Sequence, residues 1–367
     1  MRLILTGGGT GGHIYPGLTL WNYIVQQEVQ SELLYIGTKR GLEADIVPRS
    51  GLPFQTIRAA GLKRQVSLQA FRTFVETYQG YREAKRLLRE WRPDVVVGTG
   101  GYVTLPVVYA AAALKIPSVI WEANARPGLT NQLCAKKADA VAISFADSER
   151  WFSGAKKIKL TGNPRASEVL HVDTSRIEAA REQFQIDGTR RLIVFFVGSR
   201  GAETVNEVLL KMIPRMTTRP DWHLLYVTGE AHFKQIEERI SGVENVQLVP
   251  FIYDMPAVMK LADVAITRAG GASLAEICAL GVPSLLIPSP YVTANHQEEN
   301  ASRLVSQGAA RMLKERDLTP DVLWKELTIL LDSSAGAMVR DHALQAATPN
   351  AVEDLYQLVR QVIRKPN

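Results

Sequence analysis

The sequence predicts an α/β protein made of two Rossmann-like domains facing a central cleft. Three observations carry that expectation. Short aliphatic runs recur, each closed by glycine and followed by a helix-like stretch, the signature of βα units around a buried parallel sheet. Both halves open alike, with an apolar strand, a glycine-rich turn and a helix: Leu3-Ile4-Leu5-Thr6-Gly7-Gly8-Gly9 in the first, Phe195-Phe196-Val197-Gly198-Ser199-Arg200-Gly201 in the second. The 367 residues also suffice for two domains of ordinary size, each with its own core.

In the first half, strands are expected at 3–6, 33–36, 94–97, 118–120, 140–143 and 157–161. The rhythm restarts after Gly162-Asn163-Pro164-Arg165 and a polar stretch, with strands at 192–197, 224–227, 246–249, 264–267 and 284–287. The domains are drawn at 1–163 and 164–345. In the remaining 346–367, Val352, Leu355, Tyr356, Val359 and Ile363 have helical spacing, so this segment is expected to pack back on the first domain.

With 46% apolar and 22% charged residues, the composition is that of a globular chain. No run reaches the ~18 apolar residues of a membrane span, and the opening residues lack the h-region of a signal peptide, so a cytoplasmic protein is expected. Cys134 and Cys278 sit in Ala- and Leu-rich surroundings and read as packed thiols. A net charge of +6 favours anionic partners, whether phosphates, acidic lipid surfaces or nucleic acid.

Gly7, Gly9 and Gly12 satisfy G-x-G-x-x-G directly after the first strand, with Pro16 placed in the first turn of the next helix. The loop reads as a phosphate-binding turn or as a tight turn that needs glycine for packing. A dinucleotide site would end the next strand in a ribose-binding acid. Here Leu33-Leu34-Tyr35-Ile36 ends in Gly37-Thr38-Lys39-Arg40, which disfavours NAD and leaves NADP open. His13 closes the loop, where an imidazole either takes a proton from a substrate hydroxyl or only hydrogen-bonds the loop. A second glycine turn, Gly98-Thr99-Gly100-Gly101-Tyr102, is expected to line the same crevice.

In the second half, Arg268-Ala269-Gly270-Gly271-Ala272-Ser273-Leu274-Ala275-Glu276 follows a strand and opens a helix. Glycine lets a diphosphate approach and the helix N-terminus binds it, while Glu276 either accepts the ribose hydroxyls or only suits the helix dipole. Ser199 contacts phosphate or caps a helix. Asn295-His296-Gln297 offers amides suited to sugar hydroxyls. His296 and Glu299 fall short of a metal's usual ligand count, and no Asp-x-Asp occurs, so no metal site is expected.

Between 61 and 94, Phe71, Phe74, Val75, Tyr78, Tyr81 and Leu88 fall near one helical face, and Lys63, Arg64, Arg72, Arg82, Lys85, Arg86, Arg89 and Arg92 outnumber Glu76, Glu83 and Glu90. This segment reads as a basic amphipathic surface for an anionic bilayer or as a core-facing helix with a solvated basic back.

Taken together, these motifs resemble the MurG family, the GlcNAc transferases that convert lipid I to lipid II in peptidoglycan synthesis. The likeness runs nearly end to end, through 7–17, 98–103, 127–131, 162–165, 198–202, 250–252, 268–276 and 295–297. It implies the GT-B fold, with the donor bound mainly by the second domain and the acceptor by the first. It implies that Thr10, Gly11, Gly12, Asn124, Arg165, Ser199, Ile252, Gly271, Ala272, Ser273, Leu274, Ala275, Glu276 and Gln297 bind UDP-GlcNAc. Ile252 would meet uracil through its backbone, Glu276 the ribose and Gln297 the GlcNAc.

By the same resemblance, His13 would deprotonate the C4 hydroxyl of MurNAc in lipid I (undecaprenyl-pyrophosphoryl-MurNAc-pentapeptide) for direct attack on the anomeric carbon, inverting α to β. Lys63, Arg64, Phe71, Arg72, Val75 and Tyr78 would dock the protein peripherally on the anionic cytoplasmic face of the cell membrane. No cofactor, protein-bound metal or nucleic acid is implied. The pattern departs at Trp121-Glu122-Ala123-Asn124, where the family usually reads His-Glu-Gln-Asn, and Trp121 and Ala123 are read as lying beside the sugar site. The alternatives within the fold are a diacylglycerol glycosyltransferase and a UDP-GlcNAc 2-epimerase, and outside it an NADP-dependent oxidoreductase.

Overall fold

In the computed structural model the described residues are 1–61, 68–197, 202–240 and 242–363. The chain divides into one unit of Met1–Ser167 with Asn350–Asn367 and a second of Glu168–Pro349.

The first unit runs β1 (Arg2–Gly7), α1 (Gly11–Gln27), β2 (Glu32–Gly37), α2 (Glu43–Arg49), β3 (Phe54–Thr56) and α3 (Leu68–Trp91). It continues through β4 (Val95–Gly100), α4 (Thr104–Ala113), β5 (Ser118–Glu122), α5 (Leu129–Ala135), β6 (Ala140–Ile143), β7 (Ile158–Leu160) and α6 (Pro164–Leu170). Its seven strands are parallel in the order β3-β2-β1-β4-β5-β6-β7. Both sheet faces are buried: Leu3, Leu5, Val95 and Val97 face one core, Ile4 and Val96 the other. That two-sided burial is why the strands read as continuous aliphatic runs.

The second unit repeats the plan with α7 (Thr174–Gln183), β8 (Arg191–Phe196), α8 (Glu203–Met212), β9 (Trp222–Val227), α9 (Phe233–Glu237), β10 (Val246–Val249) and α10 (Met255–Met259). Then follow β11 (Val264–Thr267), α11 (Gly271–Leu280), β12 (Ser284–Leu286), α12 (His296–Ser306), β13 (Arg311–Met312), α13 (Pro320–Asp332) and α14 (Ser334–Ala346). Its parallel order is β10-β9-β8-β11-β12-β13. β3 and β13, absent from the sequence expectation, are edge strands of three and two residues. Such pieces are too short to show a period.

Each sheet has one point where strand order reverses: between β1 and β4 in the first, between β8 and β11 in the second. Chain connections leave in opposite directions there, opening a crevice at the strands' carboxyl ends where ligands of open α/β sheets bind. The loops after β1 and β4, and those after β8 and β11, are the glycine-rich segments the sequence singles out.

A last helix, α15 (Ala351–Val362), belongs to the first unit. Val352, Leu355, Leu358 and Val359 are buried in the core that holds Leu3, Leu5 and Trp121. Polar contacts fix the helix's ends: the Val352 N–H donates to Ser167 Oγ at 3.1 Å, and Tyr356 Oη and Arg360 Nη1 donate to Glu28 Oε1 at 2.7 and 2.8 Å. The Ser167 contact ties the start of α6 to this unit. No helix among the described residues is long and apolar enough to cross a membrane.

Leu355 is fully buried. Leu355→Ala is expected to lower the urea stability of the first unit by about 2–5 kcal/mol, the usual cost of such a cavity; an unchanged unfolding midpoint would contradict the packing.

Candidate active site

β1 ends at Gly7, and α1 begins at Gly11 with Thr10 in extended backbone as its N-cap. The helix therefore starts earlier than the sequence suggests, so Pro16 lies in its second turn, not its first. Between them, the Gly8 N–H donates to the Gly100 carbonyl at 3.1 Å, joining the two glycine turns. His13 Nδ1 lies 2.8 Å from the Gly8 carbonyl oxygen and 3.4 Å from Thr10 Oγ1. A carbonyl only accepts, so Nδ1 carries the proton of the neutral ring and Nε2 carries the lone pair. The imidazole is half-buried. The backbone behind it is fixed by Thr99, whose hydroxyl donates to the His13 carbonyl at 2.5 Å.

The second glycine turn is shaped to this loop. A Cβ on Gly100 would lie 2.8 Å from His13 Cδ2, so the ring rests against the bare α-carbon. Gly101 has φ +83°, and a Cβ there would stand 2.4 Å from the Gly8 oxygen. Glycine at both positions lets the imidazole and its carbonyl partner sit this close.

At the end of β5, the buried Glu122 accepts from Asn124 N and Nδ2 at 2.9 and 3.1 Å through Oε1, and from Asn131 Nδ2 at 2.8 Å and Gly128 N at 3.3 Å through Oε2. Burial pushes its carboxyl pKa up, opposed by these donors. Asn124 is thus held by Glu122. Trp121 and Ala123 point the other way. Both are buried in the core with Leu3 and Leu5, and Trp121 Nε1 donates to the Gly162 carbonyl at 3.0 Å. The expectation that these departures flank the sugar site is therefore corrected: strand alternation turns them inward. Arg165 is half-buried, its guanidinium 5.9 Å from the Tyr15 ring centre.

In the second unit, α11 opens at Gly271 behind Gly270, with no side-chain cap and no acid in its first turn. Gly271 and Leu274 are buried, while Ala272, Ser273, Ala275 and Glu276 are partly exposed. The helix thus presents bare N–H groups and positive dipole, with Glu276 one turn further on. Arg268 is committed elsewhere, pairing with Glu315 at 2.7 Å and donating to the Ile287 carbonyl at 3.0 Å. The Ile252 side chain is buried in a core with Ile277, fixing the backbone between exposed Phe251 and Tyr253. Gln297 Oε1 accepts from Ser289 N at 2.9 Å, after two left-handed residues, Ala294 and Asn295. Ser199 lies outside the described residues. No group of three His, Cys, Asp or Glu is arranged to hold a metal among the described residues.

The apolar residues of α3 separate into two sets. Tyr81, Ala84 and Leu88 pack into the first unit's core, whereas Phe74, Val75 and Tyr78 are exposed, Phe74 by 65% and Tyr78 by 55%. The later turns of the helix thus face the core, while the earlier ones present apolar side chains to solvent. Lys63 and Arg64, and the side chains of Phe71 and Arg72, lie outside the described residues.

Two residues of the site carried no signal in the sequence. Tyr35 Oη donates to the Gly7 carbonyl at 2.9 Å, and Glu43 Oε2 accepts from the Gly9 N–H at 2.9 Å. Glu43 is an acid six residues beyond Gly37, yet it is fully buried and turned under the glycine loop.

Residues 3–143 match the glycosyltransferase family 28 N-terminal domain, and residues 192–355 the glycosyltransferase family 28 C-terminal domain. The chain is 42% identical over 367 residues to the UDP-N-acetylglucosamine--N-acetylmuramyl-(pentapeptide) pyrophosphoryl-undecaprenol N-acetylglucosamine transferase of Acetivibrio thermocellus, covering 99% of each chain. It is 43% identical to the protein of the same name from Halalkalibacterium halodurans, over 99% of this chain and 100% of that one. Among solved structures, MurG of Acinetobacter baumannii superposes with a TM-score of 0.77 at 25% identity, over 98% of this chain and 99% of that one. The UDP-GlcNAc 2-epimerase of Neisseria meningitidis shares the fold, with a TM-score of 0.69 at 16% identity over 98% of this chain and 100% of that one.

Gly101→Ala should force its left-handed backbone or the Gly8 carbonyl to move, costing about 1–3 kcal/mol. Chemical denaturation checks this, and wild-type stability would contradict the tight fit.

Proposed function

Because the chain belongs to glycosyltransferase family 28, we propose that it moves GlcNAc from UDP-GlcNAc to the C4 hydroxyl of MurNAc in lipid I, giving lipid II, with inversion at the anomeric carbon. The observation that carries the mechanism is the His13 ring, whose Nδ1 is held by the Gly8 carbonyl so that the basic lone pair stands on Nε2. Nε2 takes the hydroxyl proton as the acceptor oxygen bonds to C1 of GlcNAc. The C1–O bond to UDP breaks, and UDP leaves with the electron pair. Attack from the face opposite the leaving group converts the α donor to a β product.

The leaving diphosphate acquires charge, and the uncapped N-terminus of α11 offers N–H groups and dipole to meet it. Gly271 to Ala275 serve this role, and the family resemblance adds Thr10, Gly11, Gly12, Ser199 and Arg165 as donors by sequence. Glu276 takes the ribose hydroxyls, the Ile252 backbone the uracil, and Gln297 and Asn124 the sugar. UDP-GlcNAc is a substrate here, and the reading assigns no resident metal or cofactor.

Because the acceptor is anchored in a bilayer, the protein meets it at a surface. Exposed Phe74, Val75 and Tyr78, with basic Lys63, Arg64 and Arg72 nearby in sequence, form an interfacial face for anionic lipid on the cytoplasmic side. Tyr78→Glu is expected to weaken binding to anionic vesicles while leaving soluble-acceptor turnover intact; unchanged vesicle binding would overturn the docking face.

Incubation with UDP-GlcNAc and a soluble lipid I analogue should release UDP in step with acceptor glycosylation. No UDP despite intact substrate binding, or epimerised donor without acceptor, would overturn the reading. His13→Ala should lower turnover about 10²- to 10⁴-fold, as loss of a general base does, with UDP-GlcNAc affinity little changed. Wild-type turnover in that variant would show His13 to be structural.

A further inference from the structure

Glu43 has no part in the chemistry described above, yet the site is built around it. Its side chain is fully buried, and no cation pairs with it among the described residues. Oε1 accepts from Thr38 N at 3.0 Å and Thr38 Oγ1 at 2.7 Å, and Oε2 accepts from Gly9 N at 2.9 Å. Three glycines make room for it: a Cβ on Gly8, Gly37 or Gly41 would come within 2.5, 2.5 or 2.0 Å of this side chain. A buried carboxylate with no counter-ion is costly, and these donors only partly offset that cost.

The Gly9 N–H that Glu43 holds and the Gly8 carbonyl that holds His13 Nδ1 belong to one peptide group. That peptide is trans, so its N–H and C=O point in opposite directions. We propose that Glu43 is a positioning residue for His13, acting through the Gly8–Gly9 peptide as a carboxylate–peptide–imidazole relay. The carboxylate fixes the peptide plane and thereby aims the carbonyl at Nδ1. Its negative charge at the N–H end polarises the amide, making the carbonyl oxygen a stronger acceptor. Both effects select the Nδ1-protonated tautomer and stabilise the imidazolium that forms when Nε2 takes the substrate proton. A carboxylate that touches an imidazole directly does the same.

The other ionisable groups around the relay leave its sign unchanged. Tyr35 faces Glu43, and burial together with that carboxylate pushes its pKa up, so it stays neutral. Lys39 and Arg40 in the turn before α2 are exposed to water. Arg165 lies over the Tyr15 ring, and Tyr102 closes the second glycine turn. All of these are retained when Glu43 is replaced.

The inference rests on His13 as the base, and its test separates the two. Glu43→Gln keeps the shape and an acceptor oxygen but removes the charge, so the imidazolium loses stabilisation and the His13 pKa falls. The acid limb of kcat/KM should move to lower pH by about half a unit to one unit. Turnover should drop about tenfold, less than for loss of the base itself, with the KM for UDP-GlcNAc unchanged. The same downward shift should appear in a direct ¹⁵N NMR titration of His13, which needs no substrate. A His13 titration identical to wild type in a folded Glu43→Gln would overturn the relay even where transfer is intact. Absent transfer with the NMR shift present would overturn the activity reading alone. In the wild-type protein, ¹⁵N shifts should show the neutral ring protonated at Nδ1. Protonation at Nε2 would overturn the relay whether or not the variant folds.

Discussion

The peptide between Gly8 and Gly9 is the constraint on which the glycine-lined crevice of the first unit depends. It is held at both ends, Glu43 taking its N–H and His13 donating to its carbonyl, while the N–H of the preceding peptide, on Gly8, reaches across to Gly100. These anchors come from α2, α1 and the end of β4, elements the chain brings together only because β1 lies between β2 and β4 in the sheet. The order reversal opens a crevice, glycine lets backbone and imidazole fill it closely, and the tautomer of one histidine follows.

The second unit uses the same topology for a different task. Its reversal point lies between β8 and β11, and the loop after β11 leads into α11 with bare N–H groups and no acid in the first turn. Arg268, at the end of β11, is spent on Glu315 and the Ile287 carbonyl, which brace the neighbouring loops. Backbone dipole thus supplies positive potential there without a flexible cation. One architecture therefore sets a histidine tautomer in one unit and leaves a bare helix N-terminus in the other.

The fold was legible because parallel strands buried on both faces read as continuous aliphatic runs closed by glycine, as in Leu3 to Leu5 and Val95 to Val97. The edge strands β3 and β13 escaped for the opposite reason: two or three residues cannot show a period. Family membership was legible in the ordered motifs. The surroundings of Trp121 were misread because sequence adjacency to Asn124 was taken as spatial adjacency, whereas a period of two turns Trp121 and Ala123 into the core and Glu122 and Asn124 away from it. Glu43 was invisible. A single acid after a polar Thr-Lys-Arg-Gly stretch reads as solvated surface, and only the tertiary fold buries it beneath Gly8.

The most direct test of this account is an experimental structure with a soluble lipid I analogue bound. His13 Nε2 is expected within about 2.6–3.2 Å of the MurNAc C4 hydroxyl oxygen, with Nδ1 still on the Gly8 carbonyl. A C4 hydroxyl that faces another base, or an imidazole turned away from Gly8, would contradict it.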